Sequence, residues 1–576
     1  MVSLEMAQTH VLPSGGLTWT LTNATESFHL IARRDALALI QLPFSDAVHP
    51  VIEGWLGQTL LGTVPLSVPN ALFGTEANGS VYAKDRYSAV IPSTWIQSGL
   101  SLDVRADNYV AGSKKTPNIG ADVDMTLRVL PFALFGANYP SSSLSIPQTA
   151  VDEMWAKWPV STLHTSTHDI GLLKWSSIVV GPRNGGAAYV VHNKDEQHDG
   201  YDVMSSVLSL LRGLRAANGE GNAPVQYYAP LLMRNAKGVD QGSGGGLGGG
   251  DVGTGDTSFA GVFIHEQGHA FGLPHQGDAY TQGKYPYQGG SLSGSVWGYD
   301  SKRQQFLPTF MPPTASNYKN CAASHVLDVS GRCVKQDPMQ SGSGDQDPSY
   351  RFATFSDYST AMMQRYFEGT ASLDSKGNTV YSGGKIFPDS SFASGYKRWN
   401  TLTKTWVAAS TGTTSGGIWG LNQGLPLATN VPVYAIAITY SNAGTSGVSQ
   451  IYSPLAYTGN LIHYIDPTQA ADRLSIVPDT SPNYYWYCRN GGCDYTVRVR
   501  YTNGVVRHVL LQNGFRPFNQ ARGTPAASTI DPTNSNSFRT WVIQVPADST
   551  IAGVDLLSTP MVWQGMPASP TVLVTR

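Results

Sequence analysis

Residues 265–275 read His265-Glu266-Gln267-Gly268-His269-Ala270-Phe271-Gly272-Leu273-Pro274-His275. The spacing H-E-x-x-H-x-x-G-x-x-H constrains the local backbone more tightly than any other stretch of the chain. On an α-helix His265 and His269 stand one turn apart on a shared face, so both imidazoles reach one ion. Gly272 lets the chain turn where a Cβ would resist, and that turn brings His275 back as a third ligand. Three imidazoles leave a fourth position open, as a catalytic zinc site requires. Glu266 sits beside the first ligand, placed to reach water on the ion rather than the ion itself. Only 13 histidines occur in 576 residues, and three of them fall at this spacing. That disfavours the bland alternative of a structural helix carrying histidines by coincidence.

The flanks agree with a helix. Phe259, Val262, Phe263 and Ala270 recur at helical spacing and supply a face to bury. Asp256 or Thr257 is expected to cap its start, and Gly272 with Pro274 to end it near residue 271.

A chain of 576 residues is too long for one core, and two to four domains are expected. Charged residues make up only 14%, against about 25% in an ordinary globular protein. With a net charge of −2, nothing points to nucleic acid or an anionic membrane as partner. No run of 18 apolar residues occurs, so no membrane span is expected. The four cysteines form two close pairs, Cys321 with Cys333 and Cys488 with Cys493. Neither pair has the C-x-x-C spacing of a zinc knuckle, so two local disulfides are favoured over reduced thiols or a second metal site. Disulfides and low charge place the protein outside the cell. Residues 1–5 show no basic stretch leading into an apolar one, so a leader has been removed or export proceeds without one.

Along the chain, residues 17–160 read as β-rich, with strands expected at 17–22, 27–31, 36–42, 88–91 and 100–104. Val203, Val207, Leu210, Leu211 and Leu214 mark an amphipathic helix, and a strand follows at 225–233. The run Gln241-Gly242-Ser243-Gly244-Gly245-Gly246-Leu247-Gly248-Gly249-Gly250 lacks the Gly-Lys-Ser/Thr ending of a phosphate loop. It reads either as a linker or as bare backbone along which an extended substrate can pair. Helical spacing returns at 357–368, where Met362 and Met363 are assigned to the core. Asn503-Gly504 predicts a hairpin between 495–499 and 505–511. The expected domains are 1–160, 161–405 and 406–576. They comprise an α+β metal-dependent hydrolase domain between N-terminal and C-terminal β-sandwich-like regions.

The eleven-residue pattern resembles that of the metzincin zinc metalloproteases. Longer stretches are similar to the secreted metalloproteases of the StcE mucinase and dictomallein type. They are Thr167-His168-Asp169-Ile170-Gly171-Leu172-Leu173, the glycine run, and Trp297-Gly298-Tyr299-Asp300 with Arg303 and Phe306-Leu307-Pro308. Tyr350-Arg351-Phe352, Gln364-Arg365-Tyr366-Phe367-Glu368 and Lys397-Arg398-Trp399-Asn400 also fit. The likeness is good over about 160–405, fair before it and poor after about 430. It implies zinc ligands at His265, His269 and His275 and a general base at Glu266. It also implies a methionine turn beneath the metal at Met339, with Met311 the competing candidate, and a Cys321–Cys333 disulfide. The family often carries Tyr after the third histidine, where this chain has Gln276. A transition-state tyrosine is then either missing or supplied from elsewhere, with Tyr280 and Tyr299 as candidates. No Trp occurs between residues 176 and 264, where the mucinase has one that bears on glycan recognition.

The expected activity is secreted zinc-dependent hydrolysis of peptide bonds in O-glycosylated, mucin-like protein. Gly244, Gly245, Gly246 and Tyr299 are the candidate substrate contacts. The alternatives are a general extracellular endopeptidase, or a glycan-binding adhesive protein whose metal site is inactive.

Overall fold

In the computed structural model of the chain, residues 3–22, 24–43, 46–109, 113–410, 420–480, 483–489, 491–516 and 526–576 are described. The strand Val225–Arg234 is buried on both sides. Tyr227, Ala229, Leu231 and Met233 face one core and Tyr228 the other, the alternation that a pleated strand imposes. Strands 162–167, 124–129, 225–234 and 252–255 lie side by side and run parallel. Leu247–Gly248 then closes that edge antiparallel to Val252–Gly255. The second half of 225–234 pairs with Phe132–Leu134, which pairs with Leu173–Trp175.

Parallel neighbours need crossovers, and helices α1 (Gln148–Lys157) and α2 (Asp202–Ala217) supply them. The sheet therefore starts near residue 124, ahead of the boundary expected at 160. Strands 124–129 and 132–134 look like continuations of the preceding β-rich stretch. Only partners far along the chain reveal where they belong.

Helix α2 buries Val203, Val207, Leu210, Leu211 and Leu214 against one face of the sheet. Ala435, Ala437, Val448, Tyr452 and Phe538 from the C-terminal region join the same cluster. The two parts share one apolar core, so α2 is covered on both sides. Gly213 allows this approach, because a Cβ there would meet Val542 Cγ2 at 2.6 Å. The opposite face of the sheet carries α1, α3 (Gly261–Ala270) and α5 (Asp357–Glu368), through Phe263, Ile264, Phe271, Met363 and Phe367. Met363 is fully buried there, whereas Met362 lies at the cluster's margin.

Before the sheet, two antiparallel sheets share one core. One orders strands 11–13, 3–7, 36–41 and 86–91, and the other 59–65, 51–56 and 100–105. Strand Ala36–Gln41 turns Ala36, Ala38 and Ile40 into that core and Leu37 and Leu39 outward. Leu37 and Leu39 meet Tyr299 and Phe306, which sit on a hairpin that follows the metal motif. Val11 N–H donates to Trp297 O at 2.9 Å and Tyr299 N–H to Thr9 O at 2.8 Å.

Towards the C-terminus, Pro426–Ser441 pairs with Leu455–Ile462 and Phe538–Pro546. A second sheet orders 506–510, 495–501, 551–558 and 571–575, and the two bury a common cluster. The Asn503-Gly504 hairpin forms between Tyr495–Tyr501 and Val506–Leu510, with Gly504 at φ +86°. Cys321–Cys333 and Cys488–Cys493 are both disulfides. Among the described residues, no helix is long and apolar enough to cross a membrane.

Candidate active site

Helix α3 carries the motif and begins at Gly261. Asp256 does not cap it. Its carboxylate instead accepts from Ser258 Oγ at 2.6 Å and also from Ser258 N, closing a turn one step earlier. The helix gives way at Phe271, and Gly272 follows at φ +86°, the left-handed turn expected there.

That turn brings the three histidines together. His265 Nε2 lies 3.3 Å and His269 Nε2 3.1 Å from His275 Nε2. His265 Nδ1 is 2.8 Å from Pro338 O, and His269 Nδ1 is 2.8 Å from Leu273 O. A carbonyl only accepts, so each Nδ1 carries the proton and each Nε2 offers its lone pair to the common point. Burial disfavours the charged form of both rings. It lowers the pKa of His265, and that of His269 to about 4. Neutral imidazoles with converging lone pairs are the donor set a metal ion takes.

Glu266 is buried, and burial raises its carboxyl pKa to about 8. It rests against the glycine run. A Cβ on Gly246 would stand 2.5 Å from Glu266 Cγ and Oε1, and one on Gly248 would collide with Glu266 O and lie 2.9 Å from His269 Cβ. On Gly253 it would meet Gln267 Oε1 at 2.5 Å. The run therefore has two parts. Gly244 and Gly245 face open space, whereas Gly246 and Gly248 are packed onto the metal helix. This corrects the reading of a uniformly bare backbone.

Beneath the helix, a Cβ on Gly268 would overlap Met339 Sδ. Met339 is buried in the short helical turn Pro338–Gln340, whose Pro338 carbonyl holds His265. Met311 lies elsewhere, packed with Cys321 and Cys333. Asp337 anchors the turn. Its Oδ1 accepts from Met339 N at 2.9 Å, and its Oδ2 from Ser356 N at 2.9 Å and Ser359 Oγ at 2.8 Å. In the sequence Asp337 marks only the start of the Asp337-Pro338-Met339 stretch, although an Asp directly before Pro-Met is a common cap for a short turn.

Two tyrosine candidates separate. Tyr299 is buried against Leu37, Leu39 and Phe306, so its ring is not offered to a substrate. Tyr280 lies exposed on α4 (Gln276–Thr281). Gln276 is buried and donates to Ser359 Oγ at 2.9 Å, so side chains at that position point into the protein.

The model of the peptidase M66 family matches residues 76–372, more than half of the chain. The chain belongs to the peptidase M66 family. M66 peptidases are metallopeptidases, which agrees with a histidine triad whose lone pairs converge. Among similar proteins, dictomallein of Burkholderia pseudomallei (strain 668) is 47% identical across all of this chain and 83% of its own length. Dictomallein of Burkholderia mallei (strain ATCC 23344) has the same identity and coverage. Dictomallein-2 of Dictyostelium discoideum is 38% identical, across all of this M66 chain and 95% of its own length.

Proposed function

We propose that this M66 peptidase is a secreted zinc endopeptidase acting on O-glycosylated protein, with Glu266 as its general base. The observation that carries the reading is the convergence of His265, His269 and His275 beside a buried carboxylate, under a sheet edge with open backbone. His265 Nε2 and His269 Nε2, 3.3 and 3.1 Å from His275 Nε2, converge closely enough for one ion to take all three. His265, His269 and His275 would hold the ion through Nε2. When bound, zinc supplies Lewis acidity that activates water and polarises the substrate carbonyl.

The chain's own groups do the rest. Glu266 Oε accepts a proton from the attacking water and returns it to the leaving amine nitrogen. Gly246 and Gly248 fill the space beside Glu266 and His269 and keep both in place. Leu247–Gly248 pairs on one side with Val252–Gly255, so its other edge can align an extended peptide. Met339, beneath Gly268, supports the helix as the methionine turn does in this family. Gly244 and Gly245 leave room for substituents on the substrate. Two disulfides favour an oxidising compartment. The flanking antiparallel sheets are read as β-sandwich-like modules.

The occupied space at Gly246 and Gly248 favours a second reading, a general endopeptidase, because it narrows the room left for glycans. One polypeptide prepared with and without its O-glycans separates the two. Cleavage of only the glycosylated form, abolished by a chelator and restored by zinc, supports the proposal. Equal rates and sites on both forms leave general proteolysis.

A further inference from the structure

The glycine hairpin that packs on Glu266 is pinned at its tip. Three successive residues there, Gly249, Gly250 and Asp251, have φ of +136°, +63° and +68°. An aspartate pays a steric penalty at such an angle that glycine avoids, so something else holds Asp251 there. Its backbone N–H donates to Ala270 O at 3.2 Å, at the end of the metal helix. Its own carbonyl accepts from Tyr227 N at 3.1 Å, on the central strand. Arg212 on α2 donates twice to Gly249 O, at 3.1 and 2.9 Å.

The carboxylate is held from three elements. Asp251 Oδ2 is 3.0 Å from Arg215 Nη1 on α2. Asp251 Oδ1 is 2.5 Å from Lys385 Nζ and accepts from the Tyr366 hydroxyl on α5. Arg215 is itself fixed by the carbonyls of Val225, Gly221 and Ala223. All three charged side chains are largely buried. One carboxylate thus ties α2, α5 and the segment at 385 to the turn between the glycine strand and its partner. That strand lies on Glu266 through Gly246 and on His269 through Gly248.

We infer that Asp251 is a positioning residue that fixes the glycine hairpin, and through Gly246 the Glu266 carboxylate, over the metal helix. The inference rests on the role proposed for Glu266. The partners of Asp251 are Ala270, Tyr227, Arg215, Lys385 and Tyr366, and none is one of the three histidines. Its charge, delivered to a strained turn, sets the gap between sheet edge and helix.

The test is Asp251→Asn, which keeps the shape and removes the charge. Asp251 acts through Glu266, so part of the about 10²–10⁴-fold that general-base catalysis contributes is at stake. The expected result is zinc content near one per chain, kcat lower by at least about tenfold and KM changed by less than about threefold. Amide hydrogen exchange should rise over 246–255 and not in strands 124–129 or 225–234. Wild-type kcat in a folded, zinc-loaded variant overturns the inference, as does exchange that rises uniformly. If the variant does not fold, Tyr366→Phe removes one O–H and no charge. It should lower kcat in the same direction and loosen the same segment, and wild-type behaviour in both measurements overturns the inference. If Glu266→Gln itself turns over normally, the proposed role of Glu266 fails. Exchange at 246–255 then still reports whether Asp251 pins the hairpin.

Discussion

Gly246 and Glu266 are in contact so close that a Cβ on the glycine would stand 2.5 Å from the glutamate's Cγ. The strand and Glu266 are fitted to each other, and a methyl group must displace one of them. Gly246→Ala should retain zinc and lose at least about tenfold in kcat. Complete loss of a general base typically costs about 10²–10⁴-fold. Gly245→Ala adds a methyl where nothing lies within 4 Å, and should leave cleavage of an unglycosylated peptide near wild type. Steady-state kinetics on that peptide check the pair. Equal losses in both variants would show that the packing on Glu266 is not what matters.

Met339 fills the space under Gly268 and is 1% exposed. Met339→Ala opens a cavity in the cluster that also holds Phe263 and Phe271. It should lower the unfolding free energy by about 2–5 kcal/mol. Denaturant titration of the zinc-loaded protein measures this. A change below about 0.5 kcal/mol would mean that the turn does not support the helix.

His10 is buried between the N-terminal sheet and the metal domain, with Nε2 2.9 Å from Phe355 O. Burial depresses its pKa from 6.5 to about 4. A depressed folded pKa means that the unfolded chain binds the proton first. The stability from neutral His10 is present above pH 6.5 and is lost as pH falls towards 4. Replacing it by Gln should flatten the fall in stability over that window by up to about 1.4 kcal/mol per pH unit. Melting curves at several pH values, wild type against His10→Gln, read the difference. Identical slopes would show that His10 is already protonated in the folded protein.

The metal motif was legible because its chemistry is local. Three histidines, a glutamate and a turn glycine fall within eleven residues, and helical geometry alone brings two of the histidines together. The α2 face was legible for the same reason, since Val203, Val207 and Leu211 report burial by spacing. What surrounds the motif was not. Asp337, Asp251 and Gly246 act through partners far away in sequence. A lone Asp or Gly carries no periodic signal of such contacts. Tyr299 became a candidate because Gln276 stands where the resembled family often has Tyr, and its burial by Leu37 and Leu39, far away in sequence, left no local mark. The start of the sheet at 124 was hidden because parallel pairing leaves no mark between adjacent residues.

The central claim is that Glu266 moves the proton while three histidines hold the ion. The measurement that tests it most directly is zinc content and turnover of Glu266→Gln beside His269→Ala. The account predicts that Glu266→Gln keeps about one zinc per chain and the wild-type fold but loses most activity, about 10²–10⁴-fold. It predicts that His269→Ala loses the zinc. Near-normal turnover in Glu266→Gln, or full zinc occupancy in His269→Ala, would contradict it.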